Sequence, residues 1–227
     1  MDALDSYISS HSSGKNPALD WLERETNLQT RAARMLSGET QARLLSMISL
    51  MAKPHAILEL GTFTGYSAIA LASGLDDGGR LDSIEIDDEL QKLIAAGWKK
   101  AGISRKAHLH IGDALEVIPT LDYTYDIAYI DADKRLYPDY YRLVFPKVRR
   151  GGYILADNVL WSGKVAEAEP PKDKQTTAIL EFNDMNETEA RVPMSDWVYA
   201  EKPKHVGFRA RSVVGGYFIK LLSDRIL

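Results

Sequence analysis

A chain of 227 residues, 45% hydrophobic and 26% charged, has an ordinary globular composition and suits one sizeable α/β domain better than two. Its formal net charge of −4, with no long basic run, excludes the electrostatic footprint of a nucleic-acid binder. With no cysteine, a disulfide framework, a thiolate metal site and a cysteine nucleophile are all excluded.

The opening stretch, MDALDSYISSHSSGKNPALDW, lacks a positive segment followed by an apolar one. No apolar run approaches the ~20 residues needed to span a bilayer, so a cytoplasmic protein without membrane contact is expected. Residues 4–50 read as helical. ALDWLERETN and TQARLLSMISLMA carry apolar residues at three- and four-residue intervals, with Pro17 near the start of the first. Ser37 or Gly38 begins the second helix, and Lys53-Pro54 closes it. Met35 and Met47 are expected in the core. From here the period changes. AILELG is an apolar strand, YSAIALASGL a helix, GGRLDSIEID a second strand, and DELQKLIAAGWKKAGI an amphipathic helix ended by Gly102. AHLHIGDA is a third strand, LEVIPTL a short helix and YDIAYIDAD a fourth strand. LYPDYYRLVFPKVRRGG reads as a helix running to a glycine stop, with KVRRGG its solvated end, and YILADNVLW as a fifth strand.

Strands alternating with helices predict an α/β fold, a doubly wound, mostly parallel sheet with helices on both faces. SGKVAEAEPPKDKQT, residues 162–176, reads as a mobile surface loop, and TTAILEFNDMN as another helix. The tail from Glu187 is the least legible part, with SVVGGYFIKLL offering a strand. One domain is expected, with N-terminal helices over 1–53, a ligand-binding core over 54–161 and an atypical C-terminal part over 187–227.

In open parallel sheets ligands sit beyond the carboxyl ends of the strands. Glu59, Glu85, Asp113, Asp131 and Asp157 fall at such ends on successive strands, a carboxylate rim that solvation alone explains poorly. ELGTFTGYS spaces Gly61 and Gly65 as G-x-x-x-G, neither the dinucleotide fingerprint nor a Walker loop. Glu59 would repel a pyrophosphate and suits a cationic ligand without phosphate. Glu85 stands where ribose hydroxyls are accepted in such sheets, and Gly112-Asp113-Ala114 would face an adenine ring. A cationic adenosine cofactor is S-adenosylmethionine.

Asp131, Asp157 and Asn158 converge if strands four and five are neighbours. This all-oxygen set suits Mg²⁺ or Ca²⁺ and leaves positions for a bidentate substrate and a water. Lys134 would then reach a hydroxyl held there, stabilising its anion or accepting its proton. His108 and His110 share a face of the third strand and read as sheet histidines rather than ligands. Tyr137, Tyr140 and Tyr141 read as packing residues, with Tyr140 a further candidate contact to cofactor or substrate. Trp161 reads equally as core or as a wall for an aromatic substrate.

ELGTFTGYSAIALA, GDA, YIDADKRLYPDYY and GGYILADNVLWSGKV resemble the cation-dependent O-methyltransferases of the caffeoyl-CoA and catechol type, over about residues 35–183. The paired DADK and DN motifs are specific to that group, whereas the glycine loop is shared by class I methyltransferases generally. The resemblance implies that Asp131, Asp157 and Asn158 hold the divalent cation, Mg²⁺ first with Ca²⁺ or Mn²⁺ admissible, and that Lys134 is the catalytic base. It matches Glu59, Gly61, Ser67, Glu85, Ala114 and Asp133 to cofactor-contacting positions, joined by Ser37, Thr62 and, at the methionine amine, Asp131. It further implies a small phenolic acceptor with adjacent hydroxyls, and a homodimer. Ala42 departs from the group's usual glycine, and the tail keeps VPMSD but has Trp197 where a glycine is expected. Two other readings stay open: a nicotinamide-dependent oxidoreductase, disfavoured by G-x-x-x-G and Glu59, and a cofactor-binding module without turnover, disfavoured by the intact polar set.

Overall fold

Short apolar strands, buried on both sides, set the architecture, because a sheet covered by helices on two faces needs near-continuous apolar runs. The computed structural model describes Tyr7 and residues 16–188, 195–199, 206–213 and 216–223, with side chains through Met185. Strands β1 (Ala56–Leu60), β2 (Arg80–Glu85), β3 (Ala107–Ile111), β4 (Tyr125–Ile130) and β5 (Val148–Ala156) pair in parallel in the order β3-β2-β1-β4-β5. Beyond β5 the sheet continues through β8 (Gly216–Ser223), parallel to β5, and antiparallel β7 (Val206–Val213) and β6 (Ser195–Tyr199).

Side chains alternate across the strands and feed two cores. On one face Ile57, Leu81, Ile127 and Tyr129 meet helices α1 (Pro17–Gln29), α2 (Gly38–Ala52), α3 (Tyr66–Leu71) and α4 (Gln91–Ala101), through Leu22, Leu45, Ile69 and Ile94. On the other, Leu58, Ile84, Ala128 and Ile154 meet α5 (Ala114–Thr120), α6 (Tyr137–Val144) and α7 (Lys174–Thr188), through Ile118, Tyr141 and Phe182. Local signals set the helix ends. Asn16 caps α1, its side chain accepting from Ala18 N at 2.9 Å, with Pro17 at the first turn. Lys53 ends α2 in the left-handed region at φ 46°, just before Pro54. No helix among the described residues is long and apolar enough to cross a membrane.

The two N-terminal helices lie as expected, α2 beginning at Gly38, with a short 3₁₀ turn at Ala33–Met35 between them; residues 4–15 other than Tyr7 lie outside the described residues. Several expectations need correction. Met35 and Met47 are 63% and 51% exposed, not core. The buried stripe of α2 is Gln41, Ala42, Leu45, Ile48 and Ser49, which puts Met47 on the outer face. The helix after the DADK motif stops at Val144, because Pro146 has no N–H to continue it, and Phe145–Lys147 turns as 3₁₀. KVRRGG is therefore no helix end; β5 already begins at Val148, and Arg149 pairs with Asp126. Trp161–Ala166 forms 3₁₀ turns broken by a kink at Ser162 and Gly163, and α7 starts at Lys174, so the irregular link is shorter than residues 162–176. SVVGGYFIKLL supplies parts of two strands, β7 and β8; residues 214–215 between them, like most of VPMSD, lie outside the described residues.

Helix α2 sits closely on the turn after α3. Ser46 Oγ donates to Ala70 O at 3.1 Å and Ser49 Oγ donates to Leu71 O. A Cβ on Gly74 would lie 2.1 Å from the carbonyl carbon and oxygen of Ser49. Gly74→Ala is expected to lower stability by about 1–3 kcal/mol in urea unfolding, as overpacking does. An unchanged midpoint would contradict this close docking.

Candidate active site

The connections reverse direction between β1 and β4, so a crevice opens beyond their carboxyl ends. A cavity of about 950 Å³ occupies it, a size suited to a small molecule. The loop after β1 reaches it by a tight path, with Gly61, Phe63 and Gly65 all in the left-handed region at φ 82°, 51° and 88°. A Cβ on Gly61 would lie 2.3 Å from the carbonyl oxygen of Asp131. Only glycine lets this loop cross the backbone that leaves β4. Glu85 braces the loop from β2. Its carboxylate accepts from Phe63 N at 2.7 Å, Ile86 N at 2.9 Å and Asp87 N at 3.0 Å. Burial raises the Glu85 pKa, and these backbone donors work against the rise.

The charged groups gather on β4 and β5. Lys134 Nζ donates to Asp131 Oδ1 at 2.7 Å and stands 5.0 Å from the Tyr137 ring centroid. Burial opposes the charge on Lys134, yet Asp131, Tyr137 and Asp157 outweigh it and hold its pKa above the ordinary lysine value. Lys134 is thus an ammonium ion at rest. Asp157 is 5% exposed and accepts from Asn158 N at 2.8 Å. Burial pushes its pKa up to about 7 and the charge of Asp131 adds to the rise, against Lys134. The hydroxyl of Tyr137 lies 3.1 Å from the carbonyls of Ile130 and Asp157, tying the ends of the two strands.

Ser37, Gly61, Thr62, Ser67, Glu85, Asp113, Ala114, Asp131, Asp133, Lys134, Asp157 and Asn158 all line the cavity. Glu59 does not. It is fully buried one layer behind, accepting from Ser67 Oγ and, at 2.7 Å, from Ser83 Oγ. Burial lifts its pKa to about 7 against those hydrogen bonds. Asp113 caps α5 through Leu115 N at 2.8 Å, and Asp133 pairs with Arg135. Ser37 precedes α2 without a side-chain capping bond. Trp161 and Tyr140 also line the cavity. His110 is held by Asp82 at 2.7 Å, and neither it nor His108 lines the cavity.

Asp131, Asp157 and Asn158 offer only oxygen donors, which fits a hard divalent cation. The electrostatics fit as well: two carboxylates face one ammonium ion, and the buried one is driven toward protonation, a cost that a cation would relieve. Among the described residues no group of three or more His, Cys, Asp or Glu forms a metal site, so this two-carboxylate, one-amide set is the candidate.

The sequence reading missed Gln41 and Tyr129. Gln41 is 7% exposed, lines the cavity from α2, and donates to the Tyr129 hydroxyl at 2.6 Å. The signal was a polar residue heading a buried helical stripe, and a tyrosine two residues before Asp131, on the same strand face.

A profile of the O-methyltransferase family matches residues 9–198. The chain is 36% identical over 194 residues to catechol O-methyltransferase domain-containing protein 1 of Mus musculus, covering 83% of this chain and 73% of that one. It is 33% identical over 163 residues to a caffeoyl-CoA O-methyltransferase of Stellaria longipes, covering 67% and 68%. Among solved structures, the O-methyltransferase TomG of Streptomyces achromogenes, involved in tomaymycin synthesis and in complex with S-adenosylmethionine, aligns with a TM-score of 0.77. That alignment has 28% identity and covers 88% of this chain and 90% of that one.

The pKa of Glu59 has a consequence for stability. Folding raises it from 4.5 to about 7, so the folded state keeps a proton that the unfolded chain releases in between. The stability this group contributes is full below pH 4.5 and is lost as pH rises through about 7. In urea unfolding without added ligand, Glu59→Gln is expected to lose less stability across that window than the wild type. Parallel pH profiles would contradict the assignment.

Proposed function

The chain belongs to the O-methyltransferase family, and from that premise we propose that it transfers the methyl group of S-adenosylmethionine to one hydroxyl of a vicinal-dihydroxy aromatic small molecule, catechol- or caffeoyl-like, with the help of a divalent cation. The observation that carries this is the pair of half-buried Asp131 and buried Asp157, balanced by the single ammonium of Lys134 and open to a cavity of small-molecule size.

Cofactor recognition falls to the β1 to β3 side. Glu85 keeps acceptor capacity for ribose hydroxyls beyond its three backbone donors, and Asp113 with Ala114 borders the adenine end. Gly61 and Thr62 give the ligand close backbone approach, with Ser37 and Asp133 as further contacts. Glu59 acts through Ser67, as a buried negative partner behind the wall for a sulfonium-bearing ligand. Asp131 serves the cation together with Asp157 and Asn158 and also accepts from the methionine amine. Mg²⁺ is the first choice for this donor set, with Ca²⁺ or Mn²⁺ admissible. A cation held there by Asp131, Asp157 and Asn158 would supply the positive charge that attracts the acceptor's hydroxyl groups and lowers the pKa of one.

Lys134 then has two roles. As an ammonium ion it stabilises the developing phenolate. Were a cation to neutralise Asp131 and Asp157, Lys134 would lose the anions that hold its proton and release it to solvent; its amine would then take the hydroxyl proton, which restores the ammonium beside the phenolate. Trp161 and Tyr140 give the acceptor aromatic walls, and the rest of the catalysis is positioning for in-line displacement. A homodimer, on the resemblance alone, and a cytoplasmic location complete the reading.

Methyl transfer from S-adenosylmethionine to catechol is expected to stop with EDTA and return with Mg²⁺, while a phenol with one hydroxyl is not methylated. Lys134→Met is expected to lower kcat by about 10²–10⁴-fold, the usual share of a positioned proton-transfer group, and to leave cofactor affinity unchanged. Transfer to catechol that ignores EDTA would contradict the cation's part. Full kcat in Lys134→Met would remove the lysine from the mechanism.

A further inference from the structure

A chain of hydrogen bonds reaches Asp131 from helix α2. Gln41, in the first turn of α2, donates from Nε2 to the Tyr129 hydroxyl at 2.6 Å, and Tyr129 donates to Asp131 Oδ2 at 3.1 Å. The direction follows from the groups themselves. An ionised carboxylate only accepts and a tyrosine hydroxyl has one proton, so that proton goes to Asp131 and the phenolic oxygen receives the Gln41 amide. Asp131 therefore has a donor on each oxygen, Lys134 on Oδ1 and Tyr129 on Oδ2. A rigid carboxylate is the result.

Gln41 and Tyr129 are 7% and 0% exposed, between a helix and a central strand. Burying an amide and a phenol there costs free energy unless both are paired, and an apolar contact would serve packing as well. The pairing runs from Gln41 through Tyr129 and ends on Asp131.

We propose that Gln41 and Tyr129 are positioning residues for the cation site: through the relay from amide to phenol to carboxylate, α2 fixes the orientation of Asp131 in which it holds a divalent cation together with Asp157 and Asn158. The inference rests on the cation reading above and adds a route from the N-terminal helices to that site. Partners behind ligating groups commonly set affinity by about 10–100-fold.

The test is a calorimetric titration of the full chain with MgCl₂, for wild type, Tyr129→Phe, Gln41→Leu and the double variant, with S-adenosylhomocysteine titrated separately without metal. Tyr129→Phe keeps the buried ring and deletes only the hydroxyl. It is expected to weaken Mg²⁺ binding at least 10-fold, in the range of such outer partners, and to leave S-adenosylhomocysteine affinity within about twofold. Because the two residues act in series, the double variant is expected to bind Mg²⁺ about as weakly as the weaker single one. Wild-type Mg²⁺ affinity in both single variants would overturn the relay. So would an equal loss of Mg²⁺ and S-adenosylhomocysteine affinity in Tyr129→Phe, which marks a merely structural residue. A wild type that binds no Mg²⁺ would overturn the cation reading itself, and the relay with it.

Discussion

Two carboxylates and one ammonium ion share the ends of β4 and β5, and this imbalance organises the site. Asp131 is satisfied by Lys134, so the burden falls on Asp157, which burial and its neighbour push toward protonation. Such an arrangement costs stability in an empty pocket, and a fold keeps it where charge is brought in by a ligand. Glu59 repeats the pattern one layer deeper, with two serine hydroxyls as its donors. The site is acid-rich beyond what its own cations balance, which suits a cationic cofactor and a divalent ion together.

The sheet makes this arrangement possible. The reversal of connections between β1 and β4 leaves a gap above the central strands, and hydrogen bonds stitch its rim. Asp131 N donates to Leu60 O at 2.9 Å, Asp157 N to Ile130 O at 3.1 Å, and Gly61 N to Ile84 O at 3.0 Å. Neighbouring strand ends are thus locked in step, so the residues that follow them emerge together. Gly61 is the critical crossing, since any side chain there would strike the backbone of Asp131. The N-terminal helices close the far side. Gly74 lets α2 settle on the turn after α3, and Gln41, through Tyr129, carries that docking to Asp131.

Much of this was legible in the residues. Strands buried on both faces write themselves as apolar runs, and the acid at the end of each is conspicuous against them. The DADK and DN clusters stood out because charges at the mouth of an apolar strand need a partner. What escaped notice depended on tertiary pairing. Gln41 and Tyr129 lie 88 residues apart, and nothing local joins a polar residue in a helix's first turn to a strand tyrosine. Glu59 sits one residue before the end of β1, so its side chain turns beneath α3 instead of into the cavity. The start of β5 was hidden because Arg149 and Arg150 look like a solvated helix end, although Pro146 already forbade the helix. Met47 misled because α2 carries apolar residues on more than one face, and periodicity alone does not say which face is covered.

The most direct test of the central claim, that a cation on Asp131, Asp157 and Asn158 holds the acceptor, is calorimetric binding of catechol in the presence of S-adenosylhomocysteine. It compares wild type with Asp157→Asn, each with Mg²⁺ and with EDTA. The account predicts that catechol binds the wild type only with Mg²⁺ and that the variant loses this response while still binding S-adenosylhomocysteine. Equal catechol affinity with and without Mg²⁺ in the wild type would contradict it, and would return Asp157 and Asn158 to the support of the fold.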